Sequence, residues 1–195
     1  MNAEEKVSGP VIATDLHKVM QIRFLTEKTF VLRLDRRNMQ FKAGQHIIVG
    51  QEGELDQREY SVYSGEKDDY LEILVREIPE GNVSKQLKQC KPGEPLKVNG
   101  PFGSFGLESF DMFSRKLVFI ASGTGISPFH SFVSSYPGID YTLIHGVRYK
   151  NEAYESNDYD PLRYILCTSK ESTGGRKGRV TRFLPGYRVN PDMLF

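Results

Sequence analysis

The stretch that decides the fold is Leu117-Val118-Phe119-Ile120-Ala121, followed directly by Ser122-Gly123-Thr124-Gly125-Ile126-Ser127-Pro128. A continuous apolar run of this length is typical of a parallel strand buried on both faces. It leads into a glycine turn, after which we predict a helix from about Pro128 to Ser135. Glycines let a backbone approach a ligand closely, and a helix N-terminus favours phosphate. The spacing is G-x-G-x-x-P rather than the G-x-G-x-x-G dinucleotide fingerprint, but the strand-turn-helix context is the one that fingerprint requires.

Downstream of this turn the sequence continues to alternate between strands and helices. We predict strands at Tyr141–His145 and Tyr164–Thr168 and a helix at Val180–Leu184, an order that implies α/β layering. The last residues, Asn190–Phe195, read as a turn and the start of a further strand. We therefore expect a parallel-sheet domain that is short at its C-terminal end.

The upstream part of the chain has a different period. Six candidate strands are separated by turn signals: Lys18–Leu25, Thr29–Leu34, Gln45–Gln51, Arg58–Ser64, Tyr70–Glu77 and Glu94–Asn99. In the stretch from Tyr70 to Ile78 the alternation predicts one buried face. The spacing predicts a six-stranded antiparallel Greek-key β-barrel with one inserted helix, Asn82–Gln89. We place the domain boundary within Leu107–Arg115, which gives residues 1–110 and 111–195.

Composition excludes several classes of protein. The 195 residues carry 26 Lys and Arg against 25 Asp and Glu, so no global charge bias points to nucleic acid or membrane. Two cysteines, Cys90 and Cys167, cannot build a disulfide framework or an iron–sulfur centre. The N-terminus lacks a signal peptide, and no apolar run approaches the ~18–20 residues of a membrane span. We expect a cytoplasmic protein.

The histidines carry no recognisable site pattern. His17, His46, His130 and His145 are scattered, without metal-ligand spacing, and we interpret them as structural, so no metal is predicted.

The first candidate binding motif is Arg58-Glu59-Tyr60-Ser61, on a predicted strand. Residues i and i+2 share a face, so Arg58 and Tyr60 point the same way and Ser61 points the other way unless the chain twists. A guanidinium, a ring and a hydroxyl suit a phosphorylated aromatic ligand. An ordinary amphipathic strand is the alternative.

The second motif is Gly81-Asn82-Val83-Ser84, which opens the predicted helix. Asn82 is the candidate N-cap, and free N–H groups beside it would suit a pyrophosphate. Caps of this composition are common, and a purely structural cap is the alternative.

The third motif is a basic segment from Lys170 to Arg188, which holds six Lys or Arg and one acidic residue, Glu171. A solvated face is the usual explanation of such a run. However, Ser169 and Lys170 follow a predicted parallel strand, where ligands bind in open α/β sheets, and Arg148 follows the neighbouring strand. The group that such cations would suit is the 2′-phosphate of NADP.

Taken in order, the motifs resemble those of the ferredoxin–NADP reductase family over roughly residues 17 to 195. The set is Phe41-Lys42-Ala43-Gly44-Gln45, Arg58-Glu59-Tyr60-Ser61, Gly81-Asn82-Val83-Ser84, Gly100-Pro101-Phe102-Gly103, Gly123-Thr124-Gly125-Ile126-Ser127-Pro128-Phe129 and Gly146-Val147-Arg148. The resemblance implies a flavin-binding barrel followed by a nicotinamide-nucleotide domain, with FAD and NADP as cofactors, NAD being the alternative nucleotide.

The resemblance also implies roles for single residues. Arg58 would contact the FAD phosphates, Tyr60 would stack on the isoalloxazine, and Ser61 would approach flavin N5, so Tyr60 and Ser61 are the candidate catalytic residues. The remaining candidates are binding residues. Backbone from Ile73 through Val75 to Arg76 would line the flavin, and Gly81, Asn82, Val83 and Ser84 would bind its pyrophosphate. The NADP pyrophosphate would lie against Gly123, Thr124, Gly125 and Pro128. The 2′-phosphate would lie among Arg148, Ser169, Lys170 and Arg179.

The function implied is hydride transfer between NADP(H) and FAD with single electrons passed to or from ferredoxin or flavodoxin. Two departures bear on it: family members usually end with a strand carrying a C-G-x-x-x-M-like motif and a tail, which do not follow Phe195, and Lys170 stands where arginine is common. Enzyme alternatives are an NADH-dependent reductase component of an oxygenase and a flavin reductase. Non-enzyme alternatives are an FAD-binding regulatory or interaction subunit and a nucleic-acid-binding module.

Overall fold

Alternating apolar residues in the N-terminal half form an antiparallel sheet of six strands. The computed structural model describes residues 15–107, 111–171 and 176–183. The strands are β1 Asp15–Phe24, β2 Thr29–Asp35, β3 His46–Gln51, β4 Gln57–Ser61, β5 Tyr70–Arg76 and β6 Pro95–Phe102. Helix α1, Asn82–Gln89, lies between β5 and β6 as predicted. The strand order is β4-β3-β6-β1-β2-β5, a non-sequential order that agrees with the Greek-key prediction.

The sheet curls until its two edge strands touch. Directly after β4, Val62 forms an antiparallel bridge with Ile73 of β5, and the Tyr63 N–H donates to the Glu72 carbonyl at 2.7 Å. The interior is filled by apolar side chains that include Phe30, Leu32, Ile47, Val49 and Leu71. The contact between the edges is a single bridge rather than a continuous ladder, so the barrel is open along part of this seam.

Strand β5 is buried on both faces, contrary to the one-face prediction. Ile73 and Val75 point into the barrel core, whereas Leu74 packs in a second apolar cluster with Phe119 and Phe132 of the C-terminal half. The alternation of side chains along β5 is that of a strand. Its outer face, which would be exposed in an isolated barrel, is covered because the C-terminal half packs against it.

The C-terminal half is a parallel sheet. Its strands are β7 Lys116–Ser122, β8 Asp140–Val147, β9 Tyr164–Thr168 and β10 Arg176–Lys177, in the order β10-β9-β8-β7. Helix α2 is Ser127–Ser135, and 3-10 turns occur at Gly123–Ile126, Lys150–Glu152, Ser156–Asp158 and Val180–Arg182. The predicted helix Val180–Leu184 is therefore wrong: its described part is a single 3-10 turn, and Leu184 lies outside the described residues.

The connection between β8 and β9 crosses back onto the barrel, and we call residues 148–163 the strap. Within it, Glu152 forms an ion pair with Arg76 at 3.3 Å, Glu155 forms one with Arg23 at 2.6 Å, and the Tyr154 hydroxyl lies 3.2 Å from the Thr29 hydroxyl.

The change from antiparallel to parallel sheet falls between β6 and β7, a range that contains the predicted boundary. The division at residue 110 itself stays a prediction, and Asn190–Phe195 lies outside the described residues.

No helix in the described parts of the chain is long and apolar enough to cross a membrane.

Candidate functional site

An opening in the barrel wall brings together two of the predicted flavin-binding segments. On one side of the Val62–Ile73 bridge, the facing edges of β4 and β5 have no strand partner among the described residues. Because the bridge is antiparallel, the residues before Val62 lie across from those after Ile73. The predicted Arg58–Ser61 and Ile73–Arg76 segments therefore border one opening, with backbone groups available to a ligand.

The register of β4 orients its side chains as predicted. Tyr60 pairs with Ile47 and Arg58 with Val49, both inward-facing core residues, whereas Ser61 pairs with His46 on the other face. Tyr60 is half-buried against the barrel core, and that burial raises its pKa to about 12 against the opposing effect of Arg58. Tyr60 therefore presents a neutral ring and Arg58 an exposed cation at the edge of the opening.

Helix α1 follows β5 and differs from the prediction at its start. Gly81, not Asn82, is the N-cap; Asn82 is the exposed first residue of the helix, and no side chain caps it. Val83 packs into the barrel core, and the Ser84 hydroxyl accepts a hydrogen bond from the Ile78 N–H at 3.0 Å. Hence the N–H groups of the first turn, rather than the Asn82 side chain, are the groups available to a pyrophosphate.

A cleft of about 650 Å³ lies at the carboxyl ends of β7, β8 and β9. In an open α/β sheet this is the edge where ligands bind. The structure gathers most of the residues predicted to hold NADP here, together with the barrel residue Arg76. The predicted residues that line the cleft are Arg76, Gly123, Thr124, Arg148, Ser169, Lys170 and Arg179. Gly125 and Pro128, predicted for the same pyrophosphate, do not line it; Pro128 lies in the first turn of α2.

The cleft carries an excess of positive charge. Arg148, Lys170 and Arg179 are exposed, and none has a carboxylate within ion-pair distance in the described ranges. The acidic lining residue, Glu152, is already engaged: it pairs with Arg76 and accepts the backbone N–H of Arg148 at 2.9 Å. Three uncompensated cations at the end of a parallel sheet suit a phosphate-bearing nucleotide.

His145 of β8 fixes the glycine turn that forms one wall of the cleft. Its Nε2 lies 2.9 Å from the Gly123 carbonyl oxygen and its Nδ1 lies 2.8 Å from the Tyr164 hydroxyl. Because the carbonyl can only accept, Nε2 carries the proton, and the Tyr164 O–H donates to Nδ1. The ring is fully buried, which lowers the pKa of His145 to about 4 and keeps it neutral. Gly123 itself adopts a left-handed φ of 54°.

Close packing also shapes the opposite wall. A Cβ added to Gly146 would lie 2.6 Å from Cγ1 of Val180, so glycine lets the 3-10 turn Val180–Arg182 lie directly on β8. That turn follows Arg179 and holds it at the cleft. In the sequence, Gly146 stands out only as part of the Gly146-Val147-Arg148 motif. His145 and Glu152 are not recognisable as site residues there, because their roles depend on strand register and on the strap.

Comparison with known proteins finds relatives of both halves of the chain. Residues 18–106 match the family described as the oxidoreductase FAD-binding domain. Over 99% of its length the chain is 26% identical to a flavodoxin/ferredoxin–NADP reductase of Rhodobacter capsulatus, of which it covers 80%. The chain is thus similar to a ferredoxin–NADP reductase along almost its whole length, and its barrel half is similar to oxidoreductase FAD-binding domains. It is also 27% identical, over 88% of its length, to a toluate 1,2-dioxygenase electron transfer component of Pseudomonas putida, of which it covers 55%.

The fold of this chain is shared with solved proteins. A ferredoxin NADP+ reductase from Neisseria gonorrhoeae, solved with bound FAD and NADP, superimposes with a TM-score of 0.81 at 23% identity, covering 91% of this chain and 81% of the other. The chain spans most of the Rhodobacter and Neisseria proteins but about half of the toluate component. The predicted two-domain architecture, an antiparallel six-stranded half followed by a parallel-sheet half, is thus confirmed.

Proposed function

We propose that this chain transfers hydride between NADP(H) and FAD and passes single electrons to or from a ferredoxin or flavodoxin. The observation that carries the proposal is the adjacency of the two candidate sites. The glycine turn Gly123–Ile126 lies against β5, whose free edge borders the barrel opening, and Arg76 at the end of β5 lines the nucleotide cleft. A nucleotide in the cleft would therefore be next to a flavin in the opening.

The residues present fit FAD in the barrel. When bound, FAD supplies the ring that accepts hydride and releases electrons one at a time. The free edges of β4 and β5 offer backbone donors and acceptors, and the neutral ring of Tyr60 offers a stacking surface. Arg58 and the first turn of α1 offer positive charge for the phosphates. Ser61 supplies a hydroxyl at the end of β4.

The residues of the cleft fit NADP. Arg148, Lys170 and Arg179 supply the charge that a 2′-phosphate requires, and Gly123 and Thr124 expose backbone at the turn held by His145. The protein contributes orientation and exclusion of water, which bring the reacting atoms to about 3–3.5 Å of one another in a productive complex.

Anaerobic titration of the FAD-loaded protein with NADPH tests the proposal. We expect the flavin absorption bands to bleach, and bands that persist despite bound FAD would contradict it. Ser61→Ala should slow single-turnover flavin reduction more than it weakens FAD binding. The matched control is Ser114→Ala, an exposed serine of the segment before β7. Equal reduction rates in both variants would remove Ser61 from the mechanism.

A second candidate is an NADH-dependent reductase component of an oxygenase, favoured by the match to the toluate component and by lysine at position 170. The ratio of kcat/KM for NADPH to that for NADH separates the two. A ratio well above one supports the first proposal, and a ratio below one supports the second.

We place the enzyme in the cytoplasm. Cys90 and Cys167 are both free and buried, which agrees with a reducing compartment. Fractionation of cells that express the tagged full-length protein would check this.

A further inference from the structure

A charged cavity of about 300 Å³ lies between the barrel, α2 and the strap, away from the nucleotide cleft. His130 of α2 and Glu155 and Asp158 of the strap line it. Each offers one ligand atom, and the three atoms all lie within 4.8 Å of one another. Ligand atoms bound to a single ion at about 2.0–2.2 Å lie no more than about 4.4 Å apart, so closure of the three atoms by a few tenths of an ångström would let them share one ion.

The hydrogen bonds of His130 leave one ring nitrogen available. Its Nδ1 lies 2.7 Å from the Tyr63 carbonyl oxygen, which can only accept, so Nδ1 carries a proton. The neutral ring then presents a lone pair at Nε2, 3.2 Å from Oδ2 of Asp158. Two electron-rich atoms at this distance require a positive species between them or a second proton on the ring. A histidine held through one nitrogen by a backbone carbonyl is the usual arrangement of a metal ligand.

Glu155 contributes a carboxylate oxygen that is buried and unused. Its Oε1 is bound by Arg23 at 2.8 and 2.6 Å, while Oε2 has no hydrogen-bond partner among the described residues. The backbone of Glu155 adopts a left-handed φ of 45°, which is strained for a non-glycine residue. The strap thus holds an unsatisfied oxygen inside the molecule at some conformational cost.

Two buried hydroxyls beside the carboxylates are also unpartnered. The Tyr63 and Tyr159 side chains are 0% and 3% exposed, and neither hydroxyl has a hydrogen-bond partner in the described structure. The Tyr63 ring stacks on His130 with centroids 3.8 Å apart. The Tyr159 ring meets His130 edge-on, with centroids 5.9 Å apart, so both tyrosine rings lie against this histidine.

The charges around the cavity do not balance. Four carboxylates line it, those of Asp68, Glu72, Glu155 and Asp158, against the two guanidinium groups of Arg23 and Arg33. Arg33 and Arg23 are both engaged by Glu72, at 2.9 and 3.2 Å. The deficit corresponds to the charge of one divalent cation.

We propose that His130, Glu155 and Asp158 form a binding site for a divalent first-row transition metal, with Zn²⁺ as the representative ion. An imidazole nitrogen with two carboxylate oxygens is a ligand set that such metals accept. The Tyr63 and Tyr159 hydroxyls would hydrogen-bond to water in the remaining coordination positions. Since His130 belongs to α2 and bonds to the barrel through Tyr63, the metal joins the strap to both halves of the molecule. The site goes beyond the proposed oxidoreductase function and does not depend on it.

Equilibrium dialysis of metal-stripped, FAD-loaded protein against Zn²⁺, followed by elemental analysis, tests the site. We expect one tightly bound Zn²⁺ per chain. Asp158→Asn removes a ligand from a half-exposed side chain without changing its shape, and it should weaken binding at least tenfold. The matched control is His46→Gln, a histidine 3.9 Å from the Glu59 carboxylate on the barrel surface, which should leave binding unchanged.

Two results would overturn the site. Wild-type protein that binds no Zn²⁺ would mean that His130 and Asp158 contact one another directly and hold no ion. Undiminished binding in Asp158→Asn would place the ion elsewhere. Melting curves with and without Zn²⁺ give an independent readout, since only proteins with the intact site should be stabilised by the ion. NADPH bleaching of the same samples reports the oxidoreductase activity separately.

Discussion

Acidification should destabilise this protein partly through His145, and the structure gives the sign and size of the effect. The pKa of His145 is lowered from 6.5 to about 4 by burial, so the unfolded chain binds a proton between these pH values while the folded protein does not. Stability from this group is complete above pH 6.5 and is lost as the pH falls toward 4. The linkage relation predicts that the free energy of unfolding falls by about 2 kcal/mol between pH 8 and pH 5, and by about 3 kcal/mol between pH 8 and pH 4.

Comparison of the wild type with His145→Gln isolates this contribution. Glutamine can still donate to the Gly123 carbonyl but does not titrate, so the other histidines cancel between the two proteins. The chain has no tryptophan, and urea unfolding of the FAD-saturated proteins is best followed by far-ultraviolet circular dichroism at pH 8, 7, 6 and 5. We expect the variant to lose about 2 kcal/mol less than the wild type over this range.

Tyr164→Phe is the matched control, because it removes the hydroxyl partner but keeps the buried imidazole and its hydrogen bond to Gly123. It should retain the wild-type pH dependence at a lower overall stability. Parallel curves for the wild type and His145→Gln would refute the argument, since they would mean that His145 does not change its proton affinity on folding.

Three further predictions concern the cleft. Gly146→Ala places a Cβ 2.6 Å from Val180, so it should lower the free energy of unfolding by about 1–3 kcal/mol and weaken NADP+ binding in a difference-spectrum titration. Gly106→Ala is the control: its Cβ would meet open space, so neither quantity should change. The double variant Arg148→Ala/Lys170→Ala should raise KM for NADPH at least tenfold, because each lost hydrogen bond to a charged group is worth about 1.5–3 kcal/mol. An equal rise in KM for NADH would contradict a 2′-phosphate site. Arg76→Met leaves the largely buried Glu152 carboxylate without its ion-pair partner, so urea unfolding should show a loss of about 1–3 kcal/mol, and the double variant with Glu152→Gln should recover part of it. Full stability in Arg76→Met would mean that the backbone N–H groups of Arg148 and Tyr149 satisfy Glu152 alone.

Much of the fold followed from local pattern. The six barrel strands, helix α1 and strand β9 lie where periodicity placed them, since apolar alternation and glycine punctuation are local signals. The Asn82 cap was wrong because Asn82 is already the first residue of the helix, and Gly81 before it takes the N-cap position. Strand β10 was missed because two residues, Arg176 and Lys177, carry no periodicity and are defined only by pairing with β9.

The site was less accessible to sequence reasoning than the fold. The glycine turn and the basic residues could be found because their types suit phosphate wherever they occur. Glu152 and His145 could not be found in this way. Glu152 reaches the cleft only because the strap folds back, and His145 reaches the glycine turn only because β8 lies between β7 and β9. His130 and Asp158 are 28 residues apart, outside any short metal-ligand spacing.

The two-faced burial of β5 explains how one strand serves both candidate sites. Its inward residues Ile73 and Val75 hold it in the barrel, and its outward residue Leu74 anchors it to the core of the parallel half. Neither face is free, so a ligand can approach β5 only through the backbone edge that β4 leaves unpaired and through the side chain at its end, Arg76. A charged substitution at Leu74 would therefore separate the halves and move the glycine turn away from the opening. FAD binding to the barrel should survive such a change, whereas reduction by NADPH should be lost.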